Sequence, residues 1–122
     1  MPKKVFIVDD ADFIVDMLRV ILQSAEYSVV GTAGSGPEAL EAIGKLSSDL
    51  APEIVTVDFH MPRMDGLETI DRLRGLLPDV KVLLISAHAT LPIVMQAKER
   101  GVDGFIAKPF EPRTLLDMLE RF

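Results

Sequence analysis

The sequence contains no cysteine. That absence excludes a disulfide framework, a thiolate zinc site and a thiol nucleophile. It also lacks any run approaching the roughly 18 apolar residues needed to cross a bilayer, so membrane insertion is not expected. Basic charge is scarce. Thirteen Lys and Arg stand against nineteen Asp and Glu, a net charge of −6, and no basic run is longer than Lys3-Lys4. Proteins that neutralise phosphate backbones carry a basic patch, so direct nucleic-acid binding is not expected either. The N-terminal Met-Pro-Lys-Lys leads straight into a short apolar run, without the h-region and cleavage site of a secretory signal. The expected location is the cytoplasm. No internal repeat, low-complexity stretch or linker divides the 122 residues. At this length the expectation is one domain, residues 1–122, able to bury a core without staples.

Five short apolar runs rich in β-branched residues are present: Val5 to Val8, Ser28 to Thr32, Ile54 to Val57, Val82 to Ile85 and Gly104 to Ala107. Several are apolar throughout, the pattern of strands buried on both faces of a parallel sheet. Between them lie segments with helical spacing. Ile14, Met17, Leu18 and Ile21 mark the first face, and Ala39, Leu40, Ile43 and Leu46 the second, with Pro37 near its start. Leu67, Ile70, Leu73 and Leu77 mark the third. Val94, Ala97 and Gly101 give a weaker fourth stripe, and Leu115, Met118, Leu119 and Phe122 the last. Alternation of strand and helix predicts an α/β fold of three layers, with a parallel sheet and right-handed crossovers.

In such sheets ligands bind beyond the carboxyl ends of the strands. Asp9 and Asp10 follow the first strand, Asp58 the third, Ser86-Ala87-His88 the fourth and Lys108-Pro109 the fifth. The second ends in Ala33-Gly34-Ser35-Gly36, which looks featureless. Three carboxylates, a hydroxyl and a lysine would thus converge on one edge. Clustered acids raise one another's pKa unless a cation intervenes. Mg²⁺ is the natural partner, because it binds through one or two carboxylates and is completed by water and phosphate oxygens. A lysine in the same ring supplies a point charge for a phosphoryl group. The residues point to metal-assisted phosphoryl chemistry without a nucleotide-binding loop.

These residues carry a resemblance. Val8-Asp9-Asp10, Val57-Asp58, Met61-Pro62, Met64-Asp65-Gly66, Ser86-Ala87 and Lys108-Pro109-Phe110 occur in this order along the whole chain. In this the chain resembles the receiver domain of two-component response regulators, most closely the CheY-type chemotaxis regulators. The resemblance implies the flavodoxin-like, doubly wound (βα)5 fold with strand order 2-1-3-4-5. It implies Asp58 as phosphoacceptor from a sensor histidine kinase, and Mg²⁺ held by Asp9, Asp10, Asp58 and the backbone carbonyl of His60. Lys108 would pair with the carboxylate and then the phosphoryl oxygens, with a cis peptide before Pro109. Ser86 and Phe105 match the switch pair that reshapes the face made by the fourth helix, fifth strand and fifth helix, where a downstream protein would dock. Phe105 lacks the hydroxyl of the Tyr that family members often carry. Ala87 would leave the site open. His60 and His88, each two residues past a site residue, would tune phosphoryl lifetime, since imidazole changes charge near neutral pH. Leu91, Ile93 and Met95 add apolar groups to the fourth helix. The protein would act as a monomer and catalyse only its own phosphorylation and dephosphorylation.

A haloacid-dehalogenase-type phosphatase would need a second acid two residues after its nucleophile, where His60 stands. A flavodoxin would need a Ser, Thr and Gly-rich phosphate loop where Asp9-Asp10 stands. Within the receiver reading, a stand-alone chemotaxis regulator, a phosphorelay shuttle and the receiver of a longer regulator all fit.

Overall fold

The chain alternates strand and helix from end to end in the computed structural model, which describes residues 2–122. The elements are β1 (Lys4–Val8), α1 (Asp12–Ser24), β2 (Ser28–Ala33), α2 (Gly36–Gly44), β3 (Ile54–Asp58), α3 (Gly66–Leu76), β4 (Lys81–Ser86), α4 (Leu91–Glu99), β5 (Gly104–Ala107) and α5 (Pro112–Glu120). A short 3-10 turn at Ser48–Leu50 leads into β3. All strand pairs are parallel, and the sheet order is β2-β1-β3-β4-β5. This is the doubly wound order that the resemblance implied.

The two-residue period of the strands divides the core. Val5 and Ile7 of β1, Ile54 of β3, Leu83 and Ile85 of β4 and Ile106 of β5 pack against α1 and α5 through Leu18, Leu22, Leu115 and Leu119. Phe6, Val8, Val55, Val57, Val82 and Leu84 face the other way, against α2, α3 and α4 through Ala39, Ile70, Leu73 and Ala97. Thr56 shares the first face and is only 1% exposed, yet its hydroxyl finds no hydrogen-bond partner among the described residues. Helix starts are fixed locally. The Ser35 hydroxyl accepts from the Glu38 N–H at the start of α2, and the Asp65 carboxylate accepts from the Glu68 N–H at the start of α3.

Some expectations shift. Asp58 and Ser86 are the last residues of β3 and β4 rather than loop residues, because they still pair in the ladder with Ile85 and Ala107. The segment after β2 is not featureless, since Ser35 is buried as the α2 cap. Gly101 lies past α4 at φ 73°, a left-handed turn and not part of an apolar stripe. Leu46, Leu77 and Phe122 lie just beyond the ends of α2, α3 and α5, half-buried against the core clusters.

Gly66 opens α3 directly beneath the end of β3. A Cβ there would stand 2.6 Å from the Asp58 carbonyl oxygen and 2.8 Å from Phe59 Cα, both backbone atoms that cannot turn aside. Gly75, inside α3, has nothing within 4 Å of the same position. Gly66→Ala should therefore cost about 1–3 kcal/mol of stability. Gly75→Ala should gain about 0.5–1 kcal/mol from helix propensity. Urea denaturation midpoints of the two variants check both signs.

Candidate functional site

The strand period, carried to the strand ends and one step past β1 and β5, also sorts the polar residues. Asp9 continues the Val5-Ile7 row, Asp58 the Ile54-Thr56 row, and Lys108 follows Ile106, so all three lie toward the α1 and α5 layer. Ser86 continues the Val82-Leu84 row on the opposite face, the one that Phe105 shares. Asp9, Asp10 and Asp58 come together at adjacent strands, each offering a carboxylate oxygen within 4.8 Å of the others. Asp9 and Asp58 are buried, and Asp10 is exposed.

Lys108 holds the buried pair. Its ammonium lies 3.0 Å from Asp9 Oδ2 and 3.3 Å from Asp58 Oδ1. It thus engages Asp9 more closely than Asp58, the partner expected from the sequence. Asp9 Oδ1 accepts from the Ala11 N–H at 2.9 Å, so both Asp9 oxygens are occupied. Neither Asp10 nor Asp58 Oδ2 takes a side-chain hydrogen bond among the described residues. Burial and the neighbouring charge of Asp9 push the Asp58 carboxyl up to about 6 from its ordinary 3.8, with Asp10 adding to the rise and Lys108 opposing it. Desolvation would lower Lys108, but Asp9 and Asp58 outweigh it and raise the ammonium above its ordinary range.

The remaining candidates ring this pocket. The Lys108–Pro109 peptide is cis, and the Lys108 N–H donates to the Ser86 carbonyl at 2.8 Å. Ser86 is fully buried. Its hydroxyl accepts from the His88 N–H at 3.0 Å and donates to the His88 carbonyl at 3.2 Å. Phe105 is half-buried against the α2–α4 core, paired in the sheet with Leu84, two residues before Ser86. Ala87 is exposed and borders an apolar cavity of about 320 Å³ with Phe13, Met17, Lys108 and Phe110. His60 and His88 are exposed and in contact, ring centroids 4.7 Å apart and planes at 79°. On α4, Leu91 and Met95 are exposed, whereas Ile93 is half-buried.

The model of the response regulator receiver domain matches residues 5–120. The chain belongs to the response regulator receiver family. It is 38% identical to the chemotaxis protein CheY of Thermotoga maritima, over 99% of this chain and 98% of that one. Among solved structures, CheY in the CheX–CheY–BeF3–Mg complex of Borrelia burgdorferi superposes with a TM-score of 0.91 at 30% identity, covering 99% of this chain and 89% of that one. Chemotaxis protein CheY4 of Vibrio cholerae gives 0.89 at 32% identity, over 99% and 98% of the two chains. This is therefore a CheY-type receiver, a signalling protein of two-component systems rather than an ordinary enzyme.

Receivers bind Mg²⁺ in an acidic pocket, and the donor set here fits a hard cation: three carboxylate oxygens close together, with Asp10 and Asp58 Oδ2 uncommitted. Among the described residues no helix is long and apolar enough to cross a membrane. Two features of the site escaped sequence reasoning. Gly66 is needed because α3 runs against the Asp58 backbone. Arg63, at φ 69°, brings its guanidinium to 3.4 Å from Ser35 and 3.9 Å from Glu38, tying the β3–α3 loop to α2. The glycine was visible in the sequence, but the backbone it runs against was not. The Arg63 tie left no signal in the sequence.

A carboxyl held above its unfolded value costs stability wherever it is ionised. The cost is absent below about pH 4 and complete above about pH 6, so the Asp58 contribution falls as pH rises through that window. The displacement corresponds to about 3 kcal/mol. Asp58→Asn should therefore be more stable than wild type at pH 7, with the gap closing toward pH 4. Saturating Mg²⁺ should narrow the gap at pH 7 by stabilising the ionised form. Thermal melts across pH with and without Mg²⁺ check this; an equal gap at pH 4 and 7 would contradict it.

Proposed function

We propose that this receiver is a phosphorylation-activated switch of chemotaxis type, in which Asp58 accepts a phosphoryl group from the phosphohistidine of a sensor histidine kinase. The carrying observation is the buried Asp58 carboxylate, 3.3 Å from Lys108 and clustered with Asp9 and Asp10. An Asp58 oxygen forms the new bond to phosphorus while the bond to the partner's imidazole nitrogen breaks, and that nitrogen keeps the electron pair. Asp10, Asp58 and the His60 carbonyl would hold Mg²⁺, which supplies positive charge for the phosphoryl oxygens when bound. Asp9, with both oxygens occupied, would act through water. Lys108 shifts its ammonium from Asp58 Oδ1 to a phosphoryl oxygen, so the pocket gains an anion without losing its cation.

Ser86 links the chemistry to the surface. Its hydroxyl now donates to a backbone carbonyl in its own loop. A phosphoryl oxygen is a stronger, charged acceptor. Turning toward it releases His88 and draws in the start of the β4–α4 loop. Phe105, on the same sheet face and half-buried, moves into the space opened behind Ser86. The surface changed is that of α4, β5 and α5, where exposed Leu91 and Met95 suit a protein target that docks only in one state. Likeness to chemotaxis proteins over nearly the full length supports the pathway. The contacting His60 and His88 rings stand at the loops flanking Asp58 and set how readily water reaches the acyl phosphate.

Incubation with Mg²⁺ and a small phosphodonor should add one phosphoryl group to the intact mass, and Asp58→Asn should abolish the gain. Full labelling of that variant would overturn the assignment. A His60→Ala/His88→Ala variant should still label but lose the group at a rate several-fold different from wild type. Identical decay would remove the histidines from the mechanism.

A further inference from the structure

The two histidines are the only ones in the sequence, and the fold brings them from different loops into contact. Their carriers are anchored. The Phe59 N–H donates to the Ile85 carbonyl at 2.9 Å, and the Gly66 N–H donates to the Phe59 carbonyl at 2.8 Å, fixing the backbone beside His60. The His88 N–H and carbonyl both bond the buried Ser86 hydroxyl, fixing the second ring's base. The half-buried Phe59 ring meets His60 edge to face, with ring centroids 4.7 Å apart.

We propose that His60 and His88 form a binding site for one borderline divalent transition ion of the copper–zinc class, chemically separate from the carboxylate pocket. Imidazole nitrogens select this class, whereas carboxylates select hard ions such as Mg²⁺. The spacing fits. With metal–nitrogen bonds of about 2.1 Å, a tetrahedral ion holds two imidazole ring centres about 5 Å apart. The rings already lie 4.7 Å apart, so side-chain rotation suffices to point a nitrogen of each at a shared ion. Among the described residues only Asp9, Asp10 and Asp58 form a group of three or more metal-ligating side chains. The ion at the histidines therefore takes two protein ligands and keeps its remaining positions for solvent. It would clip the β3–α3 loop to the β4–α4 loop.

Cu²⁺ is the probe, because its electron paramagnetic resonance spectrum reports bound imidazole nitrogens directly. The protein is titrated in excess Mg²⁺, which competes for the carboxylates, and only copper that carries bound imidazole in its spectrum is counted. One Cu²⁺ per chain with a two-imidazole signature is expected. His60→Ala and His88→Ala should each weaken binding by more than the roughly 10–100-fold that outer-sphere losses cost, and the double variant should lose the signature. Asp58→Asn should keep it, which separates this site from the phosphoryl-transfer reading. A copper affinity that the double histidine variant leaves unchanged, or an imidazole signature that disappears with Asp58→Asn, would overturn the proposal.

Discussion

A single ammonium group holds the working edge of this molecule together. Lys108 lies 3.0 Å from Asp9 and 3.3 Å from Asp58, and both acids are almost wholly buried. Without a cation two such carboxylates could not both ionise. The geometry explains why a lysine stands there. β5 pairs with β4, whereas the acids lie at the ends of β1 and β3, so the charge must reach across the edge of β4. A long flexible stem can do that and then move from one oxygen to another.

The same arrangement puts stability and function in opposition. Desolvation and the Asp9 charge hold Asp58 near 6, so at neutral pH the folded state carries an anion it would be more stable without. That unfavourable energy makes the pocket responsive. A cation, or the phosphoryl group of the proposed reaction, would bring new partners to charges that are already positioned, with little reorganisation. Thr56, one repeat of the pleat below Asp58, is a further buried polar group beneath the site, its hydroxyl without a partner among the described residues.

The loops around the pocket are built on fixed points rather than left free. Gly66 lets α3 start against the Asp58 backbone, Asp65 caps that helix, and Ser86 ties His88 into a closed turn. The Ser86 tie is made only of neutral hydrogen bonds, so it is the one a new charged acceptor can outcompete. On the proposed reading, rigid supports around exchangeable polar contacts would give the site two arrangements instead of a continuum.

Much of this was legible in the sequence because it obeys short periods. Apolar runs such as Val82 to Ile85 alternating with stripes such as Leu67-Ile70-Leu73 determined the α/β alternation, and the position of Asp9, Asp10, Asp58, Ser86 and Lys108 at successive strand ends marked the edge where chemistry gathers. Strand order entered only through the resemblance. What the sequence could not decide were contacts between segments distant along the chain. Which acid Lys108 prefers, the occupation of both Asp9 oxygens, the clash waiting at Gly66, and the meeting of His60 with His88 all depend on how strands and loops stack in space. Periodicity is a local property and fixes which way a side chain faces; distance across the sheet edge is set by strand order and register, which only the tertiary structure supplies.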